Sequence, residues 1–226
     1  KGVRAGDVKY FDYNEDGDIS DADRMNVGKA IPDFYGGITS NFSYKGFDLS
    51  LFGQFSVGGK VMSAWRGVNG SEGTDHLGLA LSNVKVNDRG ESVEQYFNVS
   101  KEVANGYWRG EGTSNTIPRP VRIGVHTGYD YDYNVQTSTR YLEDASYFKL
   151  KTVTLGYTLP ESVVKKLRVN SLRVYVSADN LLTLTKYSGY DPETSFSGSP
   201  GDSNYGVDFG LQPVLRTFIF GLNLNF

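Results

Sequence analysis

The sequence predicts an all-β chain: a stretch of transmembrane antiparallel β-barrel wall with long extracellular loops. Three observations carry that prediction. The stretch Val214–Phe226 alternates: Phe218, Phe220, Leu222, Leu224 and Phe226 fall on one face, and Thr217, Gly221, Asn223 and Asn225 on the other, with Ile219 the one large apolar intruder. Period two with one oily and one polar face is a β-strand. Carried to an aromatic last residue, it fits a strand in lipid whose aromatic end sits at the membrane interface. Second, hydrophobic residues make up only 38% while aromatics reach 14%, with 16 Tyr and 13 Phe; a half-polar strand keeps the average low and still offers lipid large side chains. Third, short and long connections alternate along the chain, as the two sides of an outer-membrane barrel require.

Composition also removes function classes. Cysteine is absent, so there is no disulfide or thiolate chemistry. A net charge of −3 argues against nucleic-acid binding. No apolar run reaches the roughly 18 residues a transmembrane helix needs. The chain opens on Lys1-Gly2-Val3-Arg4 with no secretory signal, so an outer-membrane location places the targeting segment upstream and makes this sequence part of a longer chain.

Residues 1–33 are polar and are expected to form an extracellular loop. They hold Asp12-Tyr-Asn14-Glu-Asp16-Gly17-Asp18-Ile19-Ser20-Asp21-Ala-Asp23. The spacing follows a calcium loop: side-chain oxygens of Asp12, Asn14 and Asp16 at positions 1, 3 and 5, Gly17 for the sharp turn, and the Asp18 carbonyl at position 7. Position 12 is Asp23 where an EF-hand has Glu, and the shorter arm asks for a tighter loop. A structural Ca²⁺ held by Asp12, Asn14, Asp16, Asp18 and Asp23 is therefore expected, against the plain alternative of a solvated acidic turn. Asp21 falls outside the ligand pattern.

The first strand spans 34–44, with Phe34, Ile38, Phe42 and Tyr44 on one face and Thr39, Asn41 and Ser43 on the other. Lys45-Gly46 is a tight turn. The second strand, 46–57, puts Phe47, Leu49, Leu51, Phe55 and Val57 outward and Asp48, Ser50, Gln54 and Ser56 inward. About ten residues is the length a tilted strand needs to cross a bilayer. Residues 58–140 lack this rhythm. They contain Gly58-Gly59, Trp65, Trp108, a helical-looking stretch near Val93–Ala104, the Pro/Arg cluster Ile117–Arg122 and the run Tyr129–Tyr133. A structureless connection this long is uncommon unless functional.

The third strand covers 145–159. Val153, Leu155, Tyr157 and Leu159 alternate, but Phe148 and Leu150 have the opposite parity, which calls for a bulge or a change of exposure near Lys151-Thr152. Pro160–Arg168 reads as a short, basic, helical turn. The fourth strand, 172–185, sets Leu172, Val174, Val176 and Ala178 against Arg173, Tyr175, Ser177 and Asp179. Residues 186–213 form a Gly/Ser/Pro/Asp-rich loop, and the fifth strand is 214–226. The carboxy terminus then lies on the periplasmic side, and 1–33, 58–140 and 186–213 face outside. Five strands cannot close a barrel, because open edges in lipid leave backbone groups unpaired. Further strands must come from the parent chain.

Six segments together resemble a known family. They are Gly6–Tyr10 leading into Asp12–Asp23, Pro32-Asp33-Phe34, Lys45–Leu49, Tyr147–Tyr157, Leu172–Leu181 with Gly189-Tyr-Asp-Pro-Glu193, and Arg216–Phe226. In this order they resemble the carboxy-terminal part of a SusC/RagA-type TonB-dependent outer-membrane transporter of Bacteroidetes, with Ile31 standing where the family often has Asn. The resemblance implies a 22-stranded plugged barrel, of which this chain supplies about the last five strands. It implies a SusD-like surface lipoprotein lid, an oligosaccharide or peptide substrate, and energy delivered by TonB through the upstream part. No catalytic residue and no nucleotide or redox cofactor is expected.

Two rival readings stand beside this one. An outer-membrane barrel enzyme would need a nucleophile or acid pair at the rim, and none is spaced for that; His76 and His126 both fall in the long loop. A soluble calcium-binding adhesion module would explain Asp12–Asp23 and leave the alternating strands unexplained. Trp65, Trp108, Tyr129, Tyr131 and Tyr133 could stack on sugars or on a lid, and Arg119 and Arg122 could meet acidic groups; packing and plain surface roles are the simpler expectations.

Overall fold

The computed structural model describes residues 3–66, 80–86, 89, 91–96, 101–123, 134, 136–193 and 205–226. His76, His126, Tyr129, Tyr131 and Tyr133 lie outside the described residues. The strands in chain order are β1 (Phe34–Tyr44), β2 (Phe47–Val57), β3 (Lys60–Ser63), β4 (Ala80–Val86), β5 (Ser92–Tyr96), β6 (Val121–Ile123), β7 (Leu142–Asp144), β8 (Tyr147–Thr158), β9 (Ser171–Thr185), β10 (Val207–Asp208) and β11 (Thr217–Asn225). Two short helices join them: α1 (Lys101–Gly106) and α2 (Glu161–Val164). No described helix is long and apolar enough to cross a membrane, which says nothing of strands.

The chain divides into two compact units. One comprises Lys29–Val61, Glu143–Gly206 and Leu211–Phe226. Its frame is a five-stranded antiparallel sheet, ordered β1-β2-β8-β9-β11. Residues of like parity line up across the strands. Phe42 faces Leu49, Leu49 faces Leu155, Leu155 faces Val176, and Val176 faces Phe220. One face is therefore apolar from edge to edge and exposed, with Phe220 at 81%. The other carries Asp48, Thr154, Ser177, Arg173 and Asn223, joined by Arg173–Asp48 and Thr154–Ser177 hydrogen bonds. An exposed apolar face this broad is not a water-facing surface.

Two features fix the register. Between β1 and β2 only Lys45 and Gly46 intervene, both at positive φ (47° and 87°), the backbone of the type I′ turn that matches strand twist. Across β8 the pairing slips: Phe52 faces Thr152 but Gly53 faces Leu150, and on the other side Thr152 faces Asp179 while Leu150 faces Leu182. Lys151 is the bulged residue of β8, and Asn180, at φ 53°, sits in the matching irregularity of β9. Of the two alternatives near Lys151-Thr152, a bulge or a change of exposure, the structure shows the bulge. It reverses parity, which keeps Phe148 and Leu150 on the apolar face beside Val153 and Leu155. The 160–168 connection is a helical turn in which Lys165 pairs with Glu161 and Arg168 closes at φ 57°. Where this unit has a dry centre, Val61, Ala145 and Tyr187 pack together.

The second unit comprises Lys1–Gly28, Met62–Leu142 and Val207–Gly210. It is not structureless. β4 pairs antiparallel with β5 and parallel with β6, and β10 lies parallel to β3 through Val207–Met62 and Asp208–Ser63. The helical expectation near Val93–Ala104 is corrected. Ser92–Tyr96 is a strand, while the helix Lys101–Gly106 meets the last part of the expectation. Val93 and Tyr96 are good strand residues, and pairing to β4 settles that stretch.

Candidate functional site

The acidic segment is built by short-range hydrogen bonds. Gly17 N–H donates to Asp12 Oδ2 (2.9 Å), Asp16 N–H to Asn14 Oδ1 (3.1 Å) and Asp18 N–H to Asp16 Oδ1 (2.8 Å). Asp23 closes the loop. Its Oδ1 accepts from Tyr13 N–H (2.8 Å) and its Oδ2 from Ser20 N–H (2.7 Å), the latter as half of a capping box around Asp21–Asp23. Gly17 has φ 85°, a conformation Gly alone adopts freely. The Ser20 N–H bond is the main reason the Asp23 carboxyl titrates below the usual carboxylate range; those from Tyr13 and Asn14 add to it.

The donor set suits a hard cation, since every group is a carboxylate, amide or carbonyl oxygen. Asp12 Oδ1 is buried and has no hydrogen-bond partner, the condition of an oxygen that lacks its ligand. As the loop stands, no three carboxylates among the described residues are gathered closely enough to form a cation cage; backbone donors hold them instead. Beside the loop, Ile19, Ser20 and Asp23 help to line a cleft of about 840 Å³, whose other walls include Tyr10, Met25 and Leu142.

Two further polar clusters join residues far apart in the chain. Asp7 is a buried hub. Arg119 Nε lies 2.6 Å from its Oδ1, Arg119 Nη2 donates to Oδ2 at 3.1 Å, and Asn134 Nδ2 donates to Oδ1 at 2.9 Å. Burial pushes the Asp7 carboxyl up, but bonds from Arg119, the Arg4 N–H and Asn134, with the Arg119 charge, hold it below its ordinary value. Arg119 therefore serves the loop framework rather than a free surface. Trp108 packs its ring on Gly6, which leaves no room for a side chain there. Trp65 is half-buried against Gly210.

The second cluster lies on the polar face of the sheet. Lys149, 2% exposed, donates to Asp191 Oδ1 (2.5 Å) and to Glu193 Oε2 (2.8 Å), and Lys151 donates to the same Glu193 oxygen at 2.6 Å. Both motifs, Tyr147–Tyr157 and Gly189–Glu193, were visible in the sequence; their pairing was not. Burial raises the Glu193 carboxyl, and the two lysines outweigh it and bring the carboxyl below its ordinary value.

Long antiparallel strands with one apolar and one polar face define a β-barrel wall fragment. The chain belongs to the SusC/RagA-type TonB-dependent receptors. It is 33% identical over 98% of its length to TonB-dependent receptor P3 of Formosa agariphila, and 26% identical over 96% to TonB-dependent receptor SusC of Bacteroides thetaiotaomicron. It spans only 19% and 17% of those two proteins. Among solved structures it resembles the RagAB peptide importer in its closed-closed state (TM-score 0.59, 24% identity, 89% of this chain and 18% of that one) and its open-open state (TM-score 0.56, 23% identity, 92% and 19%). At that identity the likeness establishes the fold. No protein-family model matches the chain.

Proposed function

We propose that this chain is the carboxy-terminal wall of a 22-stranded, plugged outer-membrane importer that takes up oligosaccharides or peptides with a SusD-like surface lipoprotein. TonB would deliver energy through the upstream part of the parent chain. The observation that carries the reading is the sheet itself: a continuous apolar face backed by a hydrogen-bonded polar face, in a relative of TonB-dependent receptors. An enzymatic role finds no support in relatives named as receptors and importers. A soluble calcium-binding module leaves the exposed apolar face without a purpose.

Within that reading, the Asp12–Asp23 loop holds one structural Ca²⁺. Asp12, Asn14, Asp16 and Asp23 supply side-chain oxygens and Asp18 its carbonyl. The order of the donors, Gly17 at the turn and the unpartnered Asp12 Oδ1 support it.

The test is purification of the full-length protein from native outer membranes. The proposal expects it to bring down a surface lipoprotein, and deletion of its gene to abolish uptake of one oligosaccharide or peptide class. Recovery from the soluble fraction, or uptake unchanged for both classes, would sink it.

A further inference from the structure

We infer that Asp191-Pro192-Glu193 is a latch that seats the loop following β9 on the polar face of the barrel wall, and that Lys149 and Lys151 are the positioning residues that hold it. This goes beyond the import reading and does not depend on it, because all four charged groups lie within one compact unit.

The wall is shaped for the task. In an unbroken β8, Lys149 and Lys151 would share a face at period two and Thr152 would take the other. The bulge at Lys151 shifts the alternation by one, so Thr152 joins Lys149 on the polar face, where its hydroxyl donates to Asp179 at 3.0 Å. Lys149 is paired with Gln54 and Thr183 on the polar face, and Lys151, unpaired in both ladders, is free to aim at the same target. Both ammonium groups then converge on one oxygen of Glu193. Asn180 accommodates the matching irregularity with φ 53°, which Asn tolerates better than most residues. The slip is matched in both strand pairs of β8, and it sets Lys149 and Thr152 side by side on the polar face with Lys151 between them.

The loop side is equally organised. Asp191 Oδ1 accepts from Lys149 and from the Glu193 N–H at 2.9 Å, which closes a tight turn around the fully buried Pro192. Upstream, Glu143 accepts from Ser188 N–H (2.8 Å) and Ser188 Oγ (2.7 Å), and Thr185 Oγ1 accepts from Tyr187 N–H at 3.0 Å. The segment 185–193 is therefore seated by side chains of the wall. Among the described residues, Lys149, at 2% exposure, meets the strap carboxylates and the neighbouring Tyr147 ring. Two carboxylates meet two ammonium groups there, and removing either half leaves buried charge that costs stability.

Hydrogen exchange on the full-length protein in detergent micelles tests the latch. The isosteric pair Asp191→Asn with Glu193→Gln keeps the shapes and removes the charge. Amides of 187–193 should exchange at least about tenfold faster, while those of β8 and β9 stay within about twofold. Lys151→Met should give a smaller acceleration in the same segment, and Lys151→Arg none, which separates charge pairing from simple packing. If the double variant does not assemble, the two Lys151 variants decide alone. Unchanged exchange at 187–193, or acceleration spread equally through β8 and β9, would overturn the latch.

Discussion

The β1–β2 hairpin and the β8–β9 pair lie in one sheet and follow different rules. In the hairpin, pairing runs from Phe34–Val57 to Tyr44–Phe47 without a slip. Its residues need only point alternately to the apolar and to the polar face, and a two-residue turn with Gly46 at φ 87° sets the register. In β8–β9 the pairing slips at Lys151, and the polar face beyond the slip carries a buried lysine whose partners lie 42 and 44 residues further on. A strand that is only wall keeps period two, whereas a strand that also anchors a loop gives it up locally. The break in the alternation marks where the wall acquires a second task.

The largest effect should come from the anchoring pair. Lys149→Met removes the ammonium that Asp191 meets in the buried pair, and breaking a buried pair costs about 3–5 kcal/mol. Folded barrel, read as heat-modifiable protein on gels, should fall sharply; an unchanged yield would make the cluster ornamental. Val176→Arg, on the apolar face of β9, should cost about 2–4 kcal/mol in lipid. Urea titration in membranes checks it, and the same change on the polar face at Ser177 should be far milder. Equal costs at the two positions would erase the distinction between faces.

In the hairpin, Gly46→Ala places a methyl 2.8 Å from the Thr158 carbonyl oxygen in a left-handed residue, a strain of about 1–2 kcal/mol. That should lower the urea midpoint without disturbing the latch. The smallest effect on the barrel belongs to Asp16→Ala in the acidic loop. It should abolish Ca²⁺-dependent protection of 10–24 from proteolysis in the full-length protein and leave the barrel's heat-modifiability intact. Ca²⁺ that protects neither wild type nor variant would leave only an acidic turn there.

The hairpin was legible in the sequence because its information is local: alternation over Phe34–Tyr44 and Phe47–Val57, and a turn dipeptide between. The bulge was legible too, since Phe148 and Leu150 clash in parity with Val153 and Leu155. The partners of Lys149 and Asp7 were not. Nothing within a few residues of Lys149 names Asp191, and Arg119 is 112 positions from Asp7. Such pairs are chosen by the fold. The start of the helical-looking stretch near Val93–Ala104 is strand instead, because a short apolar segment has no decisive period until its neighbour β4 is known. The donor order of Asp12–Asp23 could be read directly, whereas the support from the unpartnered Asp12 Oδ1 needed the structure.

As barrel wall, the function proposed above, β11 places alternate residues in lipid. Single spin labels at each position from 217 to 225, in the full-length protein in bilayers, test it most directly. Collision with lipid-soluble oxygen should peak at 218, 220, 222 and 224, and collision with a water-soluble nickel reagent should be low at those same positions. Labels that meet the aqueous reagent equally at odd and even positions would contradict the account.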